Sequence, residues 1–276
     1  MTRSLVPERV LFPVYNVYAA AKIKRLLSRI KNPNRLEHFG WQVCSQNEED
    51  GIIAEIFRRI GTVGRDFVEF GCGDGTENNT RLLLDQGWRG LWIEGSKSNV
   101  ETAVRLLGKP IAEGRLTIIN EFITRENINR LITDGGYAVG KEVDLLVVDI
   151  DGNDAHVWQA INVIIPRVVC IEYNAHFGPT TPWTIEYDPD FQDIYDGRHL
   201  YGASLKLLEN LGRKKKYRLV GCNLIGVNAF FVRDDLVDDY FVKGTAEEFF
   251  HPPRFHLKHA AKRAFGEKPG VLIGGN

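Results

Sequence analysis

Three glycines at alternate positions, in the run Glu69-Phe70-Gly71-Cys72-Gly73-Asp74-Gly75, carry the clearest sign of ligand chemistry in the chain. Glycines at a strand-to-helix turn let the backbone bend sharply and let a ligand approach with no Cβ in the way. Dinucleotide folds use a similar loop, but here Thr76 stands where their fingerprint places its third glycine. Glu69, two residues before the first glycine, would receive an ammonium group and repel a pyrophosphate. Glu94 closes the next apolar run and is placed to accept hydrogen bonds from both hydroxyls of a ribose, a feature that dinucleotide enzymes share.

Two other clusters close apolar runs further on: Asp149-Ile150-Asp151-Gly152-Asn153-Asp154-Ala155-His156 and Glu172-Tyr173-Asn174-Ala175-His176. In extended backbone Asp149 and Asp151 project to one side, as do Glu172 and Asn174. With Asp149 nearby, Asp151, Glu172 and Asn174 make an oxygen set suited to a hard cation such as magnesium, which would orient and acidify a hydroxyl. The candidate bases are Asp151, His176 and His156, the last set aside because it falls in the first turn of a predicted helix. Asp149 has a second possible role, holding a bound cofactor, and Asp154 reads as a helix cap.

Those residues need strand ends to hold them. Residues 67–70, 91–94, 116–119, 145–149 and 168–173 are short, nearly continuous apolar runs, the pattern of buried parallel strands. Helical stretches fall between them near 78–86, 98–107, 125–132 and 155–164. Before the glycine run, Ile53, Ile56, Phe57 and Ile60 form a helical stripe ended by Gly61. Ser45 with Glu48, and Ser98 with Glu101, have capping-box spacing. A helix over 203–211 and strands over 217–222 and 229–233 complete the pattern. It predicts an α/β fold, a doubly wound seven-stranded mostly parallel sheet with an N-terminal helical extension.

Outside this core, residues 1–40 form a basic helical arm. Ile23, Leu26, Leu27 and Ile30 share a face flanked by Lys22, Lys24, Arg25, Arg29 and Lys31. Such a helix suits an anionic membrane surface, or packing on its own domain or a second subunit of a homo-oligomer; packing is preferred. Residues 41–245 make the main domain. Within it, residues 177–201 are too long for an ordinary connection. Their Trp183, Tyr187, Phe191 and Tyr195, with Glu186, Asp188, Asp190, Asp193 and Asp196, suggest a lid that offers stacking faces and hydroxyl acceptors. The tail, 246–276, carries His251, Arg254, His256, Lys258, His259, Lys262 and Arg263. It reads as a solvated basic helix or as a contact for a phosphorylated acceptor.

A net charge of −1 argues against nucleic acid as a partner. Cys44, Cys72, Cys170 and Cys222 are widely spaced with no C-x-x-C, which favours free thiols. No apolar run nears the ~20 residues of a membrane span, so a cytoplasmic location is the expectation.

The ordered motifs resemble class I S-adenosylmethionine-dependent methyltransferases: Glu69–Gly75, then Glu94, then the polar turn Asn120-Glu121-Phe122. Ser45-Gln46 with Asp50, Asn79-Thr80 and Gly87-Trp88-x-Gly90 are similar to the FkbM-like branch. The resemblance spans residues 45–233. It implies S-adenosylmethionine as cofactor, lined by Gln46, Glu69, Gly71, Gly73, Asn79, Thr80, Glu94, Gly95, Glu121, Phe122 and Asp149. It also implies O-methylation of a small-molecule or saccharide acceptor, a phenolic natural product being the alternative. Catechol-type methyltransferases have a similar carboxylate set, with adjacent last ligands where Tyr173 intervenes here. The FkbM-like pattern has histidine where this chain has Asn153, which leaves Asp149, Asp151 and His176 as the catalytic candidates. A nicotinamide-dependent oxidoreductase and a non-catalytic binding protein are the other classes to separate by experiment.

Overall fold

The computed structural model describes residues 8–191 and 199–257, with side chains from residue 18 onward. Seven apolar runs form β1 (Asp66–Phe70), β2 (Arg89–Glu94), β3 (Leu116–Asn120), β4 (Lys141–Val148), β5 (Ile164–Glu172), β6 (Tyr217–Cys222) and β7 (Asn228–Arg233). They lie in one sheet in the order β3-β2-β1-β4-β5-β7-β6. The first five are parallel, and β7 runs antiparallel to both of its neighbours.

Helices alternate with the strands: α1 (Glu8–Leu27), α2 (Glu49–Ile60), α3 (Arg81–Asp85), α4 (Lys97–Leu106), α5 (Gly108–Ala112), α6 (Ile128–Asp134), α7 (Asp154–Ala160) and α8 (Leu205–Lys214). Two short helices, α9 (Asp234–Val237) and α10 (Ala246–Phe249), follow the last strand. Successive strand residues point to opposite faces. Val68, Phe70, Leu146 and Val148 therefore pack on one layer, with Leu131, Trp158 and Leu208 of α6, α7 and α8. Phe67, Trp92, Leu145 and Val147 face the other, with Ile56, Leu83 and Ala103 of α2, α3 and α4. Both faces are covered, which is why the central strands show no polar alternation. This is a doubly wound, Rossmann-like α/β architecture. The strand order reverses at β1, between β2 and β4, and that switch point opens a crevice at the carboxyl ends of the strands.

Neither predicted capping box forms. The helix after Ser45 starts four residues later, at Glu49, and Ser45 instead pairs with Asp50: its Oγ accepts from the Asp50 N–H at 3.2 Å. Asp50 Oδ2 in turn accepts from Val43, Cys44 and Ser45 N–H at 2.7, 2.7 and 2.9 Å. In α4 the cap is Ser96, whose Oγ accepts from Asn99 N–H, so the motif lies two residues earlier than the spacing predicts.

The N-terminal arm packs on its own domain. Ala19 and Ile23 are buried against Leu224, Ile225, Val227 and Leu257, while Lys24, Arg25 and Arg29 face outward. The tail also folds back. His251 is buried against Glu37, Arg254 donates to Leu224 O, and Phe249 is part of the core. Lys258 and the basic residues beyond it lie outside the described residues, as do Asp193, Tyr195 and Asp196 of the lid. No described helix is long and apolar enough to cross a membrane.

Two buried carboxylates at the start of α2, Glu48 and Glu49, lock the β6–β7 turn. Glu48 accepts from Leu224 and Ile225 N–H. Glu49 accepts from Asn223 Nδ2 at 2.7 Å and Asn228 Nδ2 at 3.1 Å. Burial, then the Glu49 charge, push the Glu48 carboxyl from its ordinary 4.5 up to about 8. Between those values the folded chain keeps a proton that the unfolded chain releases, so stability falls as pH rises through that window. The melting temperature should therefore drop between pH 5 and pH 8.5, and Glu48→Gln should flatten part of the slope. An unchanged slope in that variant would remove Glu48 as its source.

Candidate active site

The glycine run leaves β1 as a tight turn with Gly71, Gly73 and Gly75 at φ of 69°, 57° and 77°. A Cβ on Gly71 would sit 1.7 Å from the Asp149 carbonyl oxygen, so the ends of β1 and β4 can touch only at a glycine. A Cβ on Gly73 would meet nothing within 4 Å, because that side is open to a cavity. Beneath the turn, Glu69 is buried and accepts from Asn79 N–H at 2.9 Å, Thr80 N–H at 3.2 Å, Thr80 Oγ1 and Asn78 Nδ2. Burial raises its pKa against the pull of those bonds. Glu94 holds the loop from the other side, accepting from Gly73 N–H at 2.9 Å and Ser96 N–H at 2.8 Å.

Two cavities meet over this turn and share Gly71, Gly73, Asp149 and Asp151. The first, about 350 Å³, is partly apolar: Ile93, Phe122, Ile123, Ile150 and Phe191 line it beside Glu94, Gly95 and Asn99. The second, about 360 Å³, is polar, with Gln46, Glu69, Asn78, Asn79, Glu172 and Asn228 in its wall.

Most of the predicted cofactor residues therefore converge: Gln46, Glu69, Gly71, Gly73, Asn79, Glu94, Gly95, Phe122 and Asp149 all line one cavity or both. Two do not. Thr80 is fully buried beneath the floor, donating to Glu69 and accepting from Trp92 Nε1 at 2.8 Å. Glu121 pairs with Arg130 and accepts from Asn127 Nδ2, leaving its neighbours Phe122 and Ile123 to reach the cavity.

The catalytic candidates separate in the same way. β4 ends at Val148, so Asp149 and Asp151 lie in a turn and not on extended backbone; Asp151 has φ 60°. Asp154 shapes that turn by accepting from Ile150 and Gly152 N–H, both at 2.9 Å. Burial, with the charge of Asp151 beside it, pushes Asp154 up to about 7. Asp149 is driven well above the usual carboxylate range by burial and then by Asp151, Asp154, Glu69 and Glu49. The turn still brings Asp149 and Asp151 to Glu172, with one carboxylate oxygen of each lying within 4.8 Å of the others.

Asn174 is not part of that set. Its Nδ2 donates to His199 O at 2.8 Å and Tyr201 O at 2.9 Å, and its Oδ1 accepts from His176 N–H. His176 lines neither cavity; its exposed ring stacks on His199 at 4.0 Å, where partial burial and His199 lower its pKa. His156 is structural, bonding Ile185 O at 2.9 Å.

Aromatics hold the described part of residues 177–201, the expected lid, together and against the domain. Trp183 stacks on Phe177 at 3.9 Å, and Tyr187 lies under the Arg125 guanidinium at 3.8 Å. Asn153, in the histidine position of the FkbM-like pattern, holds the lid by donating to Asp188 O at 2.7 Å. Phe191 alone among these aromatics reaches a cavity, lying where a Cβ on Gly152 would be 2.2 Å from its ring. Phe191 was foreseeable only as a lid aromatic, and Asn78 and Asn228 were missed. For Asn228 the signal was its place at the head of the last strand, opposite Glu172.

No family model and no curated protein matches the chain. Solved structures do match. The O-methyltransferase TomG of Streptomyces achromogenes, solved with S-adenosylmethionine, is 17% identical with a TM-score of 0.45, covering 78% of this chain and 89% of its own. An S-adenosylmethionine-dependent methyltransferase of Clostridium acetobutylicum is 15% identical with a TM-score of 0.39, covering 66% and 89%. PKMT2 of Rickettsia typhi, solved with AdoHcy, is 9% identical with a TM-score of 0.42, covering 66% and 52%. The strand order establishes the architecture independently of these matches.

The two glycines make a paired test. Gly71→Ala should lower stability by about 2 kcal/mol or more, because backbone on both strands must move. Gly73→Ala should cost about 1 kcal/mol for its left-handed φ and should fold, with its new methyl in the cavity. Equal melting temperatures for the two variants would contradict the contact between β1 and β4.

Proposed function

We propose that the protein is an S-adenosylmethionine-dependent O-methyltransferase acting on a small, hydroxyl-bearing acceptor, a saccharide in the first instance. One observation carries the reading: the crevice divides as that cofactor divides. The apolar cavity, with Phe122 and Ile93 for a flat base and Glu94 for ribose hydroxyls, suits adenosine. The acidic cavity suits a cationic methionine end, and the residues common to both lie where the sulfonium would sit. The FkbM-like branch is supported by the structural work of its motif positions, the Ser45–Asp50 pair and the Glu69–Asn79–Thr80 tie. Residues 41–245 would be the catalytic domain and 177–201 the acceptor side.

In the reaction the acceptor oxygen forms its bond to the methyl carbon as the sulfur–carbon bond breaks, and the hydroxyl proton must go to a base. Asp151, exposed at the junction of the cavities, is the proposed base. Asp149 would support the methionine end, and His176 has no part in the step. Asp149, Asp151 and Glu172 also fit a magnesium ion by donor type and spacing. Such an ion would acidify the acceptor hydroxyl.

Labelled methyl transfer over hydroxyl-bearing acceptors tests the activity. Asp151→Asn should lower kcat by roughly 10²–10⁴ with cofactor affinity kept, while His176→Ala stays near wild type. An active Asp151→Asn enzyme would rule out the base. Chelator-treated protein is expected to keep its turnover. Loss restored by magnesium would assign the carboxylate trio to a metal instead.

A further inference from the structure

Residues 9–36 hold seven Lys and Arg and no Asp or Glu, in a chain whose net charge is −1. α1 sorts these residues by face. Ala19 and Ile23, with Leu26 and Leu27 partly covered, pack on Leu224, Ile225, Val227 and Leu257. Tyr18, Lys22 and Arg25 follow one another at i, i+4 and i+7 along a different face. Lys24, Arg25, Arg29 and Lys31 are exposed, and so is Tyr18, at 60%. Arg35 pairs with Glu37, but among the described residues Lys22, Lys24, Arg25, Arg29 and Lys31 have no ion pair. Lys22 instead donates to His256 Nε2 at 2.9 Å, and burial, then the charges of Lys22 and Arg254, lower the His256 pKa. Positive charge is gathered on this side of the molecule and is not neutralised there.

Nucleic acid and anionic lipid both present phosphates, and the helix itself separates them. Residues 10–21, ahead of the basic ones, are uncharged and include Val10, Leu11, Phe12, Val14 and Val17. Aliphatic chains gain nothing from a phosphate backbone in water, whereas the boundary between lipid headgroups and acyl chains takes them. Basic residues that follow such a run then meet the anionic headgroups. Tyr18, between the two, is of the type that sits at headgroup level. No described helix is long and apolar enough to cross the bilayer, so contact of this kind stays at its surface. The arm also lies at the crevice end of the sheet: Val227, buried in one cluster with Ala19 and Ile23, lines the polar cavity.

We infer that the outward face of α1 is a docking surface for an anionic lipid membrane. Lys22, Lys24, Arg25, Arg29 and Lys31 engage lipid phosphates, and the uncharged run before them lies in the headgroup boundary. The face of α1 that carries Ala19 and Ile23 stays on the domain, so docking needs no unfolding of the arm. Contact through α1 brings the crevice end of the sheet toward the membrane. The inference does not depend on the methyl-transfer reading above.

The test sediments the full chain with vesicles of phosphatidylcholine, alone or with roughly a third phosphatidylglycerol, at physiological salt. The anionic vesicles should be bound about tenfold or more tightly than the neutral ones, and raised salt should release the protein. Lys24→Glu/Arg25→Glu should weaken that binding by about tenfold or more. A charge-matched control, Lys214→Glu/Lys216→Glu, alters two exposed residues past α8 at the opposite end of the sheet and should leave binding within about twofold. Both variants change exposed side chains, so both should keep the wild-type melting temperature. The inference fails if phosphatidylglycerol gives no preference, or if Lys24→Glu/Arg25→Glu binds as wild type. Equal losses in the two variants would also overturn it, since net charge and not this face would then govern binding. So would tighter binding to a random-sequence DNA duplex than to the anionic vesicles, which would make the face a nucleic-acid surface.

Discussion

Burial of carboxylates held by backbone N–H groups at the carboxyl ends of the strands is the constraint on which the site depends. Glu48, Asp50, Glu69 and Asp154 are all buried there, and each is held by backbone N–H groups in place of Lys or Arg. Such bonds satisfy oxygen lone pairs but leave the negative charge in place. Burial first, and then neighbouring negative charges, push Glu48, Asp149 and Asp154 upward. The site is therefore costly to keep fully ionised.

The opposite end of the sheet is built the other way. There Asp66 pairs with Lys141, Asp144 lies 3.3 Å from Arg167, and Glu142 lies 2.6 Å from Arg233. Paired charges at the amino ends of the strands hold register. At the carboxyl ends, Glu69 and Asp154 are held by backbone N–H groups instead. The same residue types thus do different work at the two ends, and the topology decides which, because the switch point beside β1 opens only toward the carboxyl side.

The strands were legible in the sequence because both sheet faces are covered, which gives unbroken apolar runs at regular spacing. The glycine loop was legible because left-handed backbone and close approach leave few other choices. Side-chain direction past the strand ends was not. Asp149 and Asp151 meet Glu172 through a turn shaped by Asp154, and not through the alternation of extended backbone. Asn174 and His176 sit at the expected place in the chain, yet both are claimed by the 199–201 segment, a long-range contact with no local signal. Asn228 enters the site only because β7 inserts antiparallel beside β5, and no local spacing announces that pairing.

The most direct test of the central claim is a calorimetric titration of the protein, and of Glu94→Ala, with S-adenosylmethionine and with NADH. One equivalent of S-adenosylmethionine should bind, NADH should not, and loss of the Glu94 carboxylate should weaken binding about tenfold or more by removing charge-assisted hydrogen bonds to the ribose. Binding of NADH, or an affinity for S-adenosylmethionine indifferent to Glu94, would contradict it.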